Sequence, residues 1–234
     1  MKGLLYLIPT TLGDNAVNDV IPFRVSQVIN EIDYYIVENE RSARRYLKKL
    51  GIIKEIDQLH FYVIDKHNFQ DVSAFLKPLE KGLNMGLLSE AGCPAVADPG
   101  SEVVKVAHQM NIRVIPLVGP SSIMLSLMAS GLNGQSFAFH GYLPIKKDEL
   151  TRKLKSLETR SQQEKQTQIF IETPYRNHVL LDELFSICHP NTMLTIACDL
   201  TLETEFVKTH SIKDWKTRKP DINKHPAIFL IHKF

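Results

Sequence analysis

The chain has 234 residues, a formal net charge of +2, 44% apolar and 23% charged residues. That balance excludes a disordered tail and a membrane-embedded chain, and the length suits two ordinary domains with substantial cores. So small a charge gives no argument by itself for nucleic-acid binding, because non-specific phosphate binders concentrate basic surface.

Leu4 to Ile8 is a compact apolar run halted by Pro9, which predicts a buried strand entering a loop and is too brief for a signal peptide. Val20 to Ile29 has helical spacing, Tyr34 to Val37 is strand-like, and Ser42 to Leu50 is an amphipathic helix ended by Gly51. His60 to Ile64 reads as a strand, Asp71 to Lys81 as a helix, Gly86 to Ser89 as a buried strand, Ser101 to Met110 as a helix and Arg113 to Val118 as a strand. Strands and helices alternating at this spacing predict right-handed crossovers and a mainly parallel sheet covered on both faces. After Gly119 the rhythm changes: helix Ser121 to Ser130, strand Phe137 to Gly141, helix Asp148 to Leu157, and a polar stretch Glu158 to Gln166 read as an exposed loop. Gln168 to Ile171, Met193 to Cys198, Glu205 to Lys208 and Pro226 to His232 are read as strands, with helices over Tyr175 to Ile187 and Ile212 to Trp215. Closer strand spacing predicts a mixed sheet. The expected organisation is two α/β domains, 1–117 and 118–234.

Cys93, Cys188 and Cys198 lack CxxC spacing and paired histidines, so neither a metal centre nor a disulfide framework is predicted, and a reducing, cytoplasmic compartment fits. Basic residues cluster in Arg41 to Lys49 and Lys146 to Lys155, a pattern that solvated helix faces also produce. Phosphate-loop, nucleophile-elbow and zinc-protease motifs are absent, as is a full G-x-G-x-x-G.

The densest segment is Leu88 to Gly100, LSEAGCPAVADPG, where two prolines and two glycines follow a strand and precede a helix. Ligands of open α/β sheets bind at such carboxyl ends, although a tight turn has the same composition. Val118 to Ser122 places Ser121 and Ser122 at a helix start, suited to a ligand's polar groups or to capping. In Ile171 to Arg176 a strand ends in Glu172 and runs through Pro174 to Tyr175 and Arg176; Glu172 has either a hydrogen-bonding task or an ion pair with Arg176. Val37 to Arg41 ends a strand at Glu38 and enters the helix of Arg44 and Arg45.

In order along the chain, IPTTLGD (Ile8 to Asp14), VENERSARRYL (Val37 to Leu47), LSEAGCPAVADPG, LVGPSS, FHGYLP (Phe139 to Pro144), IETPYR and DLTLETE (Asp199 to Glu205) resemble the small-subunit rRNA 2′-O-ribose methyltransferase branch of the tetrapyrrole methylase superfamily. The resemblance runs from about residue 3 to the C-terminus. It implies a homodimeric, two-domain α/β enzyme that binds S-adenosylmethionine in a cleft between its domains and transfers the methyl group to an RNA ribose. By position, the cofactor is expected at Pro9, Ser89, Glu90, Gly92, Val96, Ala97, Asp98, Ser121 and Ser122. The opposite wall is expected from Glu172, Thr173, Cys198, Pro226, Ala227 and Ile228. Glu38, Arg41, Arg44, Tyr175 and Arg176 are expected to face the substrate, with Glu38 or Glu172 as general base. Cys198 to Leu202 (CDLTL) stands where the branch carries arginine-glutamate-leucine-threonine-lysine, and losing two cations weakens an RNA phosphate contact. That loss keeps two other readings open: the same fold acting on another RNA site or a tetrapyrrole-like small molecule, and a non-catalytic nucleotide-binding module.

Overall fold

The computed structural model describes residues 1–14, 16–64 and 71–234 and divides into two compact units, Met1–Ser121 and Ser122–Phe234. The division falls a few residues after the expected one. Among the described residues no helix is long and apolar enough to cross a membrane.

In the first unit five parallel strands, β1 (Leu4–Ile8), β2 (Tyr34–Val37), β3 (His60–Val63), β4 (Met85–Leu88) and β5 (Arg113–Pro116), pair in the order β3-β2-β4-β1-β5. Because side chains alternate across a strand, β1 sends Tyr6 and Ile8 to one face and Leu5 to the other. The first face is covered by α2 (Phe23–Glu31) and α3 (Glu40–Lys49), through Val25, Val28, Ile29, Tyr46 and Leu47. The second is covered by α4 (Val72–Phe75), α5 (Lys77–Glu80) and α6 (Gly100–Gln109), where Leu76, Leu79, Val103 and Ala107 are fully buried. Burial on both faces explains why the central strands read as unbroken apolar runs.

Two helix expectations need correction. The helix expected from Val20 to Ile29 is two pieces, α1 (Val17–Val20) and α2, because Pro22 sits extended between them and offers no N–H to continue the first. The helix expected from Asp71 to Lys81 is α4 and α5, interrupted at Leu76, where Pro78 opens a fresh turn.

The second unit opens with α7 (Ser122–Ser130). Its sheet pairs β6 (Phe137–Tyr142), β7 (Thr167–Ile171), β8 (Met193–Cys198), β9 (Phe206–Ser211) and β10 (Ala227–His232) in the order β6-β7-β10-β8-β9. Only β6 and β7 run parallel, so the sheet is mixed as expected. One face packs on α8 (Lys147–Glu164), α9 (Asn177–Ile187) and α10 (Ile212–Trp215), with Leu154, Leu184, Phe170, Phe229 and Trp215 at its centre. The Trp215 indole N–H donates to the Leu194 carbonyl at 2.7 Å, so its polar edge is satisfied inside the core.

The polar stretch expected to be a loop continues α8 to Glu164. Leu150, Leu154, Leu157 and Ser161 recur at helical spacing and are buried, Arg160 pairs with Glu164 one turn on, and left-handed Lys165 (φ 50°) ends the helix. A helix with a narrow buried stripe is mostly polar, and that composition concealed it.

Candidate functional site

At the carboxyl edge of the first sheet, β1 and β4 are neighbours whose following helices cover opposite faces: α2 on one, α6 on the other. This is a topological switch point, where departing loops leave a crevice and open α/β sheets bind ligands. The loops after β1 and β4 are tied together there. Thr10 bridges Gly92, its N–H donating to the Gly92 carbonyl at 2.9 Å, and the Ser89 hydroxyl donates to the same carbonyl at 3.1 Å. From α3 the Tyr46 hydroxyl donates to the Pro9 carbonyl at 2.6 Å. The loop after β5 joins on the other side: a Cβ on Gly119 would lie 2.1 Å from Pro9 Cβ, so only glycine permits this approach.

Within Ser89 to Gly100 the backbone is held in shapes that side chains resist. Gly92, Ala95 and Ala97 have φ of 73°, 66° and 61°. The Asp98 carboxylate maintains the turn by accepting the Ala95 N–H at 2.9 Å and the Gly100 N–H at 2.7 Å. Strain of this kind persists where surroundings over-determine it and clusters at ligand sites. Val96 and Ala97 are exposed, so their backbone is accessible.

Beside this junction a cavity of about 470 Å³ is lined by Thr10, Ser42, Arg45, Tyr46, Lys49, Ser89 and Glu90, among others. Glu90 accepts the Ser42 hydroxyl at 2.6 Å, and the Glu90 N–H donates to the half-buried Glu38 carboxylate at 3.4 Å. Glu38 therefore joins the ends of β2 and β4. Arg41, Arg45 and Lys49 recur every fourth residue and are exposed along one stripe of α3. Lys49 pairs with Asp14, whose carboxyl is held below its usual range by that ammonium. Arg44 lies off the stripe. Its guanidinium pairs with Glu40 at 2.8 Å and Asp57 at 2.7 Å and sits over the Phe61 ring.

In the second unit the predicted residues converge on another edge. Strand β10 runs antiparallel between β7 and β8, so the ends of those two strands meet its beginning. Ala227 pairs with Cys198, and Ile228 with both Ile171 and Ala197. The Asp199 N–H donates to the Pro226 carbonyl at 3.0 Å. Asn177 ties the preceding loop to α9, its amide donating to the carbonyls of Ile222 and His225. Glu172, nearly buried, pairs with Arg176 at 2.9 Å and accepts the Thr173 N–H at 2.8 Å, while Tyr175 is 76% exposed. Burial, and then the neighbouring Asp199 charge, push the Cys198 thiol up to about 12.

Thr10, Tyr46, Gly119, Ser42, Thr204 and His225 carry these arrangements and were not singled out as site residues. Thr10, Ser42, Tyr46, Gly119 and Thr204 lay inside segments already marked by motif, and His225 did not. For Tyr46 that signal was weak, since an aromatic on a helix's apolar face reads as core.

No family model matches the chain. Its fold is similar to that of the methyltransferase CobJ (TM-score 0.64, 15% identity, covering 99% of this chain and 94% of that one). It is also similar to uroporphyrin-III-C-methyltransferase from Thermus thermophilus (TM-score 0.57, 16% identity, 100% and 93%). The chain thus shares the fold of these two methyltransferases. In sequence, the chain is 31% identical over 206 residues to ribosomal RNA small subunit methyltransferase I of Escherichia coli O157:H7, covering 88% of this chain and 68% of the relative. The same-named protein of Buchnera aphidicola subsp. Schizaphis graminum is 30% identical over 233 residues (98% and 78%), and that of Haemophilus influenzae 27% over 235 residues (99% and 79%). The chain belongs to the ribosomal RNA small subunit methyltransferase I family, and it is a methyltransferase.

Proposed function

We propose that the protein uses S-adenosylmethionine to methylate a ribose 2′-hydroxyl of small-subunit ribosomal RNA, and that it works in the cytoplasm as a homodimer. The observation that carries this reading is the Thr10–Gly92 junction at the β1/β4 switch point, in a chain whose relatives are named for that substrate. The residues present suit the cofactor. Ser89 to Gly100 contains no lysine or arginine, carries Glu90 and Asp98, and exposes backbone at Val96 and Ala97, a donor and acceptor set matched to a sulfonium nucleoside.

In the first unit Pro9, Ser89, Glu90, Gly92, Val96, Ala97, Asp98 and Ser121 would hold the cofactor. In the second, Ser122, Glu172, Thr173, Cys198, Pro226, Ala227 and Ile228 would do so. When bound, S-adenosylmethionine supplies an electrophilic methyl group. The protein's task is then to hold the acceptor in line and exclude water, which contributes roughly 7–11 kcal/mol. Glu38 takes the hydroxyl proton; it is half-buried, with its carboxylate beside the Glu90 amide. Glu172 positions rather than accepts a proton, since Arg176 and the Thr173 amide already engage its oxygens. Arg41, Arg45 and Lys49 supply cations to RNA phosphates, and Tyr175 offers a stacking surface.

Incubation with labelled S-adenosylmethionine and either assembled small subunits or free rRNA tests the proposal, with mass spectrometry locating the modified nucleoside. A 2′-O-methylated nucleotide in the small-subunit rRNA, missing from cells lacking the protein, is the expected result. Transfer to a base atom, or rRNA unchanged in the deletion strain, refutes it.

A further inference from the structure

A cluster in the second unit shares Cys198 with the proposed cofactor wall and adds two residues that wall does not use. Sγ of Cys198, a carboxylate oxygen of Asp199 and a ring nitrogen of His225 lie within 4.8 Å of one another. Cysteine spacing gave no hint of it. Cys198 ends β8 and Asp199 follows it, whereas His225 precedes β10 and is 26 residues from Asp199; the antiparallel β8/β10 pairing brings them together.

We propose that Cys198, Asp199 and His225 bind one divalent transition-metal ion of the zinc type, with a fourth coordination position open to solvent. A thiolate, an imidazole and a carboxylate form a mixed soft and borderline set that favours zinc over magnesium or calcium, which take oxygen donors. Metal–ligand bonds of about 2.0–2.3 Å put ligand atoms roughly 3–4 Å apart, so the 2.7 Å contact between His225 Nδ1 and Asp199 Oδ2 must open slightly, which the half-exposed His225 ring allows. Cys198 and Asp199 are already fixed, 4% and 6% exposed.

The surroundings are built as a metal site's supporting shell is built. Asp199 Oδ2 accepts from the Thr204 hydroxyl at 2.8 Å and lies 2.7 Å from His225 Nδ1. The His225 carbonyl is clamped by Asn177 at 2.8 Å, and the Lys224 N–H donates to the Pro174 carbonyl at 3.1 Å. Asp199, Thr201 and Lys224 adopt left-handed conformations (φ 51°, 75° and 63°), so both ligand-bearing segments are held in turns that no glycine eases. Coordination expels the Cys198 thiol proton to solvent and moves the imidazole proton from Nδ1 to the outer Nε2. The thiol packs with Leu194, Ile196 and Phe229 on the helix-covered face of the sheet. The inference does not depend on the proposed cofactor contact at Cys198.

The test uses tag-free full-length protein, stripped with chelator and titrated with Co²⁺, then loaded with Zn²⁺ and analysed for metal content. One ion per chain is expected, with a thiolate-to-cobalt charge-transfer band. His225→Ala, at a half-exposed position, and Cys198→Ala should each weaken uptake by about a hundredfold or more, the Cys198 variant also erasing the band. If the Cys198 variant fails to fold, the His225 variant decides alone. Absence of the band in the parent, or uptake that the His225 variant leaves unchanged, overturns the proposal.

Discussion

Replacing Gly119 by alanine tests the convergence of loops at the β1/β4 switch point. The added Cβ would sit 2.1 Å from Pro9 Cβ and 2.4 Å from Pro9 Cγ, where carbon pairs are comfortable at about 3.5–4.0 Å. A proline ring has no rotamer into which it can retreat. The Pro9 carbonyl is held by Tyr46 and the Thr10 amide by Gly92, so relief must move the loop after β1 or the loop after β5 as a piece. Overpacking of this sort costs about 1–3 kcal/mol, less about 0.4–1 kcal/mol regained because alanine restricts the unfolded chain. Gly3→Ala is the control. Its Cβ would meet the Leu83 carbonyl oxygen at 1.9 Å, a comparable collision at the opposite end of β1. Thermal unfolding should show both variants melting several degrees below the parent. Calorimetric titration with S-adenosylmethionine should show only Gly119→Ala losing affinity, by about tenfold for each 1.4 kcal/mol of displaced contact. Parent-like melting and affinity in Gly119→Ala, or an equal loss of affinity in Gly3→Ala, would show that the loops after β1 and β5 do not meet at the cofactor site.

Other consequences can be measured in the same preparations. Glu38→Gln should lower kcat by about a hundredfold or more while cofactor affinity stays within twofold, about the least effect expected of a removed general base; an unchanged kcat excludes that role. Tyr46→Phe leaves the buried Pro9 carbonyl without its donor and should lower urea-determined stability by about 1–3 kcal/mol, so a parental midpoint counts against the bond. Burial lowers His140 and His232 below the ordinary 6.5, with Lys153 and Arg160 adding to the effect at His140 against the opposing hydrogen bond that its ring donates to Gln168 Oε1. The unfolded chain then binds more protons below that value, so the stabilising contribution is complete above about pH 6.5 and is lost as pH falls through the lowered values. Melting curves between about pH 5 and pH 7.5 should show this slope, and His140→Gln should flatten it; a slope that persists unchanged assigns it elsewhere.

Much of the architecture was readable in advance because it rests on local periodicity. The buried strands Leu4–Ile8 and Tyr34–Val37 are continuous apolar runs, as suits strands covered by helices on both faces. Elements whose identity depends on a minority of their residues were harder to read. The end of α8 is carried by Leu157 and Ser161 amid charge, and α1 is separated from α2 by Pro22 inside an apolar pattern.

The loops rich in glycine and proline declared themselves as ligand-type turns, because the backbone shapes that such ligands require restrict residue choice locally. Which side chains those turns gather was decided only by tertiary structure. The sequence marks Arg44 as one cation among several, and the fold commits it to Glu40 and Asp57 while Arg41 and Arg45 stay exposed. It shows Glu172 and Arg176 one helical turn apart without saying whether they pair, and burial of Glu172 makes them do so. It separates His225 from Asp199, and antiparallel pairing of β10 with β8 joins them. Periodicity acts over a few residues and is written in their order; proximity between distant segments depends on strand order and register, which exist only once the sheets have formed.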